Sequence, residues 1–385
     1  MYCMNEFSLI RPDQDFALWA VLFGLAAFGF WCERFPWGRK YSGVMIMMAL
    51  GIILSNLRVI PTAAPVYDIV WEYLVPLAIA LLLLKANMRR ILSEAGPVLI
   101  AFLVGSATVV AGTAAGVTLL DLGEPEAELA GVFAATYIGG SLNFAAVAEA
   151  TGFRDSSFLA ASVAADNIAT NLHFLFILML PGFTWLAKKY PSNRVKDAQM
   201  PDSGVVPEIH RVRDLGLAGL LTAIAVAFML TSLGKFIADS AGFPDYAILV
   251  ITILSIMTGT LFPKQVSRMS GHFEAGNVLI FVFLASIAAT ADIWQLIGLA
   301  PVLFVFASII IIVHLAILLP LGRLLGIELR ELIMASAVCI GGPSSAPAIA
   351  SAKGWQDLLI PGILAGSLGY AIGSFIGVSF TQWLR

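Results

Sequence analysis

Residues 134–152 read Ala-Ala-Thr-Tyr-Ile-Gly-Gly-Ser-Leu-Asn-Phe-Ala-Ala-Val-Ala-Glu-Ala-Thr-Gly, and a related stretch returns 202 positions later. Residues 336–354 read Ser-Ala-Val-Cys-Ile-Gly-Gly-Pro-Ser-Ser-Ala-Pro-Ala-Ile-Ala-Ser-Ala-Lys-Gly. Each stretch is an apolar run interrupted by Gly, Ser, Asn or Pro. In a lipid bilayer, the backbone exposed at such a break must be buried in protein or line a water-filled cavity. The two breaks are therefore predicted to face each other inside a membrane protein.

Composition places the chain in a bilayer. Hydrophobic residues make up 59% of it and charged residues only 12%, against about 25% charged residues in an ordinary soluble domain. A net charge of -3, without a basic cluster interleaved with aromatics, argues against a nucleic-acid partner. Cys3, Cys32 and Cys339 lack metal-ligand spacing and are predicted to be packing residues. We therefore expect a multi-pass protein of the cell (inner) membrane whose partner is the lipid bilayer.

The chain divides into two halves with the same order of elements. Apolar runs of roughly 17 to 25 residues, long enough to cross about 30 Å of hydrocarbon, occur five times in each half. The first half, residues 1–186, also contains the break near 128–152, and the second half, residues 214–385, contains the one near 329–354. A polar segment at 187–213 is predicted to be a cytoplasmic linker. The fold class expected is an all-α polytopic membrane protein built by duplication.

The positions of Lys and Arg decide how the two halves are oriented. If each break enters the membrane and returns to its own side, and the N-terminus is outside, 17 of the 22 basic residues are cytoplasmic and 5 are outside. If both breaks crossed fully, the same start would leave 9 inside and 13 outside. The positive-inside rule favours the first arrangement. Because five crossings is an odd number, the halves are predicted to be inverted repeats, each with one re-entrant or broken helix, and both termini are predicted outside.

Inverted repeats with interrupted helices at matching positions indicate a secondary-transporter site near the bilayer midplane. Helix starts there offer unpaired N–H groups to an anionic substrate, and freed carbonyl groups can hold a cation. The predicted substrate-binding residues are Tyr137, Gly139, Gly140 and Ser141 at the first break, Gly341, Gly342, Pro343, Ser344 and Ser345 at the second, and Tyr370 in the last span. The alternative is that the glycines only permit close helix packing.

A second group of polar residues lies in the span that follows the first break. An ionisable side chain inside a span costs several kcal/mol unless it is paired or wet, so Asp166 is a functional-site hypothesis. Its carboxylate is predicted to bind Na+ together with Asn143 and Thr170, or to carry a proton. The full cation-coupling set predicted is Asn143, Asp166, Asn167, Thr170 and Asn171. The alternative is an aspartate that is hydrogen-bonded to a neighbouring helix.

The matching span of the second half lacks this acid. At the same 202-residue interval, Leu368 matches Asp166 and Gly369 matches Asn167. A face of small residues, Gly366, Gly369, Gly373 and Gly377, is predicted to let helix backbones approach. His314, alone on an apolar span, is predicted to be a packed, hydrogen-bonded histidine rather than a ligand. We therefore expect symmetry of fold without symmetry of charge.

The segments Tyr137–Asn143 and Cys339–Pro347, with Asp166 and Asn167, resemble the YjcL-like family of uncharacterised bacterial and plant-plastid membrane proteins over nearly the whole chain. More distantly, the two repeats with glycine-rich breaks are similar to sodium/glutamate, 2-hydroxycarboxylate and bile-acid sodium symporters. That resemblance implies an elevator mechanism, in which a mobile domain carrying both hairpins slides against a scaffold domain, and it implies a homodimer. The loop motifs of those symporters are not matched residue for residue, so their substrates do not carry over.

The function expected is cation-coupled symport of a small organic anion or amino-acid-like solute, with Na+ or H+ as the coupling ion. A cation/proton exchanger without an organic substrate is the alternative. An enzyme is not expected, because facing aspartates, a Ser–His pair and a His-Glu-x-x-His motif are all missing at suggestive spacing. No cofactor is expected apart from Na+ as a coupling ion.

The charge distribution predicts opposite sides of the membrane for Arg385 and Lys353. In a Cys3→Ser background, a membrane-impermeant thiol reagent should label Arg385→Cys in intact cells. Lys353→Cys should react only after the membrane is permeabilised. Equal labelling of both positions in intact cells would contradict the orientation.

Overall fold

A computed structural model describes residues 8–84, 86–191 and 216–385. Within these ranges the chain is helical and contains no β-strand. Nine of the described helices are long and apolar enough to cross a membrane, and a further apolar helix is shorter. The protein is thus a polytopic helical membrane protein, as the composition predicts. Most of the predicted linker at 187–213 lies outside the described residues.

The first half forms eleven helices: α1 (Asp15–Cys32), α2 (Pro36–Tyr41), α3 (Gly43–Asn56), α4 (Pro65–Ile69), α5 (Val75–Leu83), α6 (Met88–Glu94), α7 (Gly96–Leu119), α8 (Glu126–Gly139), α9 (Ser141–Thr151), α10 (Ser156–Met179) and α11 (Thr184–Ala187). A π-helical turn joins α4 and α5 into one span. The second half forms α12 (Leu217–Ser240), α13 (Ala247–Leu261), α14 (Pro263–Val266), α15 (His272–Thr290), α16 (Ile293–Leu324), α17 (Leu329–Gly341), α18 (Ser345–Lys353) and α19 (Leu359–Leu384).

Polar side chains fix where several of these helices begin. Asn87 caps α6, Asp155 caps α10, and Asp292 caps α16, each by accepting hydrogen bonds from backbone N–H groups of the first turn. Such caps satisfy donors that have no partner inside the helix. The starts of these helices are therefore set by local sequence.

The helices pack as two groups. One group, here called the lateral bundle, consists of α1, α3, α4, α5, α12, α13 and α15. The other, here called the hairpin bundle, consists of α7 to α10 and α16 to α19 and contains both breaks. Each half of the chain contributes its first three spans to the lateral bundle and its remaining spans to the hairpin bundle.

Each broken stretch folds back on itself as a hairpin. In the first hairpin, α8 and α9, Arg385 binds the Glu128 carboxylate at 2.7 Å and the Thr151 carbonyl oxygen at 3.0 Å. Glu128 lies near the start of the hairpin and Thr151 at its end. In the second hairpin, α17 and α18, Arg330 near the start pairs at 2.9 Å with Asp357, which follows the end. Both ends of each hairpin therefore lie on one side of the bundle.

The same hydrogen bond closes both hairpins. The Asn143 side-chain amide donates to the Ala135 carbonyl oxygen at 3.3 Å, and the Ser345 hydroxyl donates to that of Ala337 at 2.9 Å. These residues match at the 202-residue interval. The backbone at each tip turns through a glycine with positive φ, which a residue with a side chain adopts only with strain. These glycines are Gly140, with φ of 95°, and Gly342, with φ of 73°.

The glycine face of α19 packs directly on the first hairpin. A Cβ atom added to Gly369 would collide with the Ile138 carbonyl oxygen, and one on Gly373 would collide with the Asn143 amide. One on Gly377 would lie 2.6 Å from the Gly131 carbonyl oxygen. The prediction that these glycines permit close helix packing is confirmed.

Replacing Gly373 with Val should destabilise the protein, because the added atoms have no space between α19 and the first hairpin. Overpacking of this kind costs about 1 to 3 kcal/mol. We expect a clearly lower melting temperature for the purified variant in detergent. Gly298→Val is the matched control, because no other atom lies within 4 Å of a Cβ added there. Equal melting temperatures of the Gly373→Val and Gly298→Val variants would show that the close packing of α19 on the first hairpin contributes nothing to stability.

Candidate functional site

The tips of the two hairpins touch each other. A Cβ atom on Gly140 would lie 3.4 Å from the Gly342 backbone, and one on Gly342 would lie 2.6 Å from the Gly139 carbonyl oxygen. The Cys339 thiol donates to the Tyr137 carbonyl oxygen at 3.1 Å. Tyr137 and Cys339, like Gly140 and Gly342, are 202 positions apart. Matching residues of the two halves therefore meet at the centre of the hairpin bundle.

A cavity of about 180 Å³ opens beside the two tips. Its walls come from α8, α9, α10, α17 and the turn before α3. The lining residues are Ser42, Thr136, Gly140, Ser141, Asp166, Asn167, Thr170, Asn171, Phe174, Ile340 and Gly341. Seven of them belong to the predicted site, and the cavity thus brings together the predicted cation-coupling helix and both predicted substrate-binding tips.

Asp166 is the centre of the polar wall. The Thr170 hydroxyl donates to its carboxylate at 2.9 Å. The Tyr137 hydroxyl is fully buried and interacts electrostatically with Asp166 and Thr170, yet no described atom lies in hydrogen-bond geometry with it. A carboxylate, a hydroxyl and a phenol oxygen therefore converge, and such hard oxygen groups suit a small cation.

Two asparagines continue this wall along α10. The Asn167 side-chain nitrogen donates to the Val163 carbonyl oxygen at 2.8 Å, and that of Asn171 donates to the Asn167 carbonyl oxygen at 2.7 Å. Since each nitrogen is engaged within the helix, the amide oxygens are the groups offered to a ligand. At the 202-residue interval, Asn167 and Asn171 match Gly369 and Gly373 of α19. These side chains line the cavity, whereas the two glycines pack against the first hairpin.

The remaining predicted site residues support the tips rather than line the cavity. The Asn143 amide donates to the Gly369 carbonyl oxygen at 2.9 Å as well as to Ala135, and the residue is 1% exposed. Ser345 also binds the Gly342 carbonyl oxygen. The others lying outside the cavity wall are Tyr137, Gly139, Gly342, Pro343, Ser344 and Tyr370. Of these, Pro343 packs against Gly366, and Tyr370 packs against Gly342.

Sequence reasoning missed Ser42, Thr136, Phe174 and Ile340. Ser42 is the lining residue that comes from the lateral bundle, and it precedes α3 with a positive φ of 66°. A Ser-Gly pair before an apolar run carries no signal that it approaches a site over a hundred residues away. Thr136 could have been included in the predicted site from the sequence, because it immediately precedes Tyr137 at the first break.

A buried hydrogen-bond chain lies behind the cavity. The Ser336 hydroxyl on α17 contacts His173 Nε2 at 3.2 Å and His314 Nε2 at 2.9 Å. His314 Nδ1 contacts the Thr108 hydroxyl at 2.8 Å and the Gly105 carbonyl oxygen at 3.2 Å. The chain joins four helices: α7, α10, α16 and α17. His314 is therefore packed and hydrogen-bonded, as predicted.

The tautomer of His314 sets the direction of these hydrogen bonds. With the proton on Nδ1, that nitrogen donates to the Gly105 carbonyl oxygen, and Nε2 accepts from the Ser336 hydroxyl. The Ser336 oxygen then accepts from His173 Nε2. The Nδ1 atom of His173 is left without a hydrogen-bond partner among the described residues.

A larger cleft of about 610 Å³ lies at the base of the first hairpin. Its lining includes Arg154, Lys235 and Arg385, three of the five basic residues predicted outside. Arg154 pairs with Glu149 at 2.8 Å. Burial raises the pKa of the Glu149 carboxyl and lowers the pKa of the Arg154 guanidinium, while their mutual attraction opposes both shifts. The lining also contains Asp239 and Asp245, so its three basic residues are matched by three acidic ones.

Removing the Ser336 hydroxyl should destabilise the hairpin bundle, because it leaves two buried histidine nitrogens without partners. A lost buried partner costs about 1 to 3 kcal/mol. We expect Ser336→Ala to melt at a lower temperature and Ser336→Thr, which keeps the hydroxyl, to recover part of the loss. Ser308→Ala is the control, since that hydroxyl binds the Phe304 carbonyl oxygen within its own helix. If the Ser336→Ala and Ser308→Ala variants have the same melting temperature, the buried hydrogen-bond chain does not hold the hairpin bundle together.

Comparison with known proteins places the chain in a family. Residues 20–385 match the family described as "Protein of unknown function (DUF819)". The chain is also 33% identical over 390 residues to the "Uncharacterized membrane protein YjcL" of Bacillus subtilis (strain 168), and the match covers 98% of each chain. The resemblance drawn from the two Gly-Gly segments and Asp166–Asn167 is therefore confirmed, and the chain belongs to the DUF819 family of membrane proteins.

Proposed function

We propose that this protein is a secondary active transporter, which couples symport of a small organic anion or amino-acid-like solute to Na+ or H+. The observation that carries the proposal is the meeting of the two hairpin tips beside a cavity that contains Asp166. Interrupted helices facing a carboxylate-lined cavity supply both helix starts for a solute and oxygen atoms for a cation.

The proposal includes inverted repeats, and the packing of matching helices supports it. On α7, Gly105 lies against His314 of α16, and Gly112 lies against Ile310. Residue numbers thus rise along one helix as they fall along the other, so α7 and α16 run antiparallel. Likewise the span formed by α4, the π-helical turn and α5 meets α15 through Leu82 with Gly276 and through Trp71 with Phe283. Antiparallel matching helices are what inversion of one half requires.

We further propose that the hairpin bundle slides against the lateral bundle in an elevator movement. Ten of the eleven cavity-lining residues belong to the hairpin bundle, so a rigid movement of that bundle would carry the site with it. Ser42 alone among them would be left behind. The lateral bundle would be the scaffold, and by resemblance to the distant symporters it would form a homodimer.

Asp166 and Thr170 are the proposed ligands of the coupling cation. Asn143 is assigned an indirect role, because its amide nitrogen holds the first tip to α19. The second candidate function is a cation/proton exchanger without an organic substrate. It is favoured by the small size of the cavity, which holds roughly six waters at about 30 Å³ each.

Flux into proteoliposomes tests the symport proposal. An imposed Na+ or H+ gradient should drive uptake of a labelled solute, and Asp166→Asn should reduce that uptake about tenfold or more, because the neutral amide loses the charge that holds the cation. Asp292→Asn is the matched control, since Asn caps a helix as well as Asp does. Unchanged gradient-driven uptake in Asp166→Asn would exclude the proposed role of Asp166. A pH change inside vesicles supplied with ions alone would favour the exchanger.

A further inference from the structure

The cavity beside the hairpin tips has an unusual charge composition for an anion carrier. Asp166 is the one ionisable residue among those that line it, and no Lys, Arg or His belongs to the lining in the described part of the chain. The other polar groups on the wall are amides and hydroxyls. Among the side chains that the structure describes, an organic anion entering this cavity would therefore meet a carboxylate and no cationic group.

The charge of the loaded cavity follows from this composition. One Na+ or one proton neutralises Asp166. A solute without net charge then leaves the cavity neutral, whereas a monoanion returns it to the charge of the empty cavity, and a dianion makes it more negative. An uncompensated charge is costly away from water. Only a cation together with a solute of zero net charge therefore makes the loaded site easier to move through the membrane than the empty one.

We infer that the solute is a small zwitterion with the size of the smallest amino acids, carried with one cation. The inference rests on the proposed function and narrows its substrate class. The start of α9 at Ser141 offers backbone N–H groups and a partial positive charge to a carboxylate. The amide oxygens of Asn167 and Asn171 offer acceptors to an ammonium group. The Tyr137 hydroxyl, buried beside Asp166, adds a further oxygen at the cation end.

The size of the cavity limits the solute further. A volume of about 180 Å³ corresponds to roughly six waters. That space accommodates a solute such as glycine, alanine or serine, and a larger solute would have to extend out through the opening of the cavity. Phe174 and Ile340 supply the apolar part of the wall, which suits a short side chain.

Matched pairs of solutes provide the test. Alanine and lactate, and likewise serine and glycerate, have nearly the same shape but differ in an ammonium group and in net charge. The purified protein should be thermally stabilised by the two amino acids in the presence of Na+ or at low pH, and the two hydroxy acids should bind about tenfold or more weakly. Stabilisation by lactate or glycerate instead, or by none of the four, would overturn the inference.

Transport measurements separate failure of this inference from failure of the proposed function. An inside-negative potential should accelerate uptake of labelled alanine, because one positive charge enters with each neutral solute. In Asp166→Asn, alanine uptake should lose its dependence on both cation and potential. Gradient-driven uptake of lactate but not alanine overturns the inference and leaves the symporter intact. If ions alone change the pH inside the vesicles and neither alanine nor lactate is taken up, both the zwitterion inference and the proposed symport function are overturned.

Discussion

Peptide groups cannot face lipid without hydrogen-bond partners, and this constraint organises the protein. The chain interrupts its helices at Gly140 and Gly342, and each break is placed against the other. The Cys339 thiol bonded to the Tyr137 carbonyl oxygen, and the closing bonds from Asn143 and Ser345, are direct products of this arrangement. The rest of the hairpin bundle keeps the two tips together and away from lipid.

A difference between the two halves turns this arrangement into a site. On α19, glycines at 369 and 373 bring the backbone against the first hairpin. On α10, the matching positions are Asn167 and Asn171, whose side chains line the cavity with Asp166. One side of the centre is therefore tightly packed and the other is open and polar. The packed side and the open side therefore differ because the side chains at a few matching positions differ in volume and polarity.

The second hairpin is held by hydrogen bonds from behind as well as by glycine packing, at Gly362 and Gly366 of α19. Ser336 links His173 and His314, so α17 is fixed to α10 and α16 at a point well away from the tip. Directional bonds of this kind specify one position along a helix, whereas apolar packing permits several. The tip at Gly342 can then line a cavity on one side without losing its alignment with Gly140.

The sequence by itself determined the membrane class, the two breaks, the family, and the polar face around Asp166, because hydropathy, glycine breaks and an intramembrane acid are local signals. It also indicated that the glycines of α19 pack closely. Only the tertiary structure decided which predicted residues share one cavity, that Asn143 binds Ala135 and Gly369 instead of lining the cavity, and that Ser42 reaches it from the other bundle. Those outcomes depend on distances between segments far apart in the chain, and such distances arise only when the helices pack.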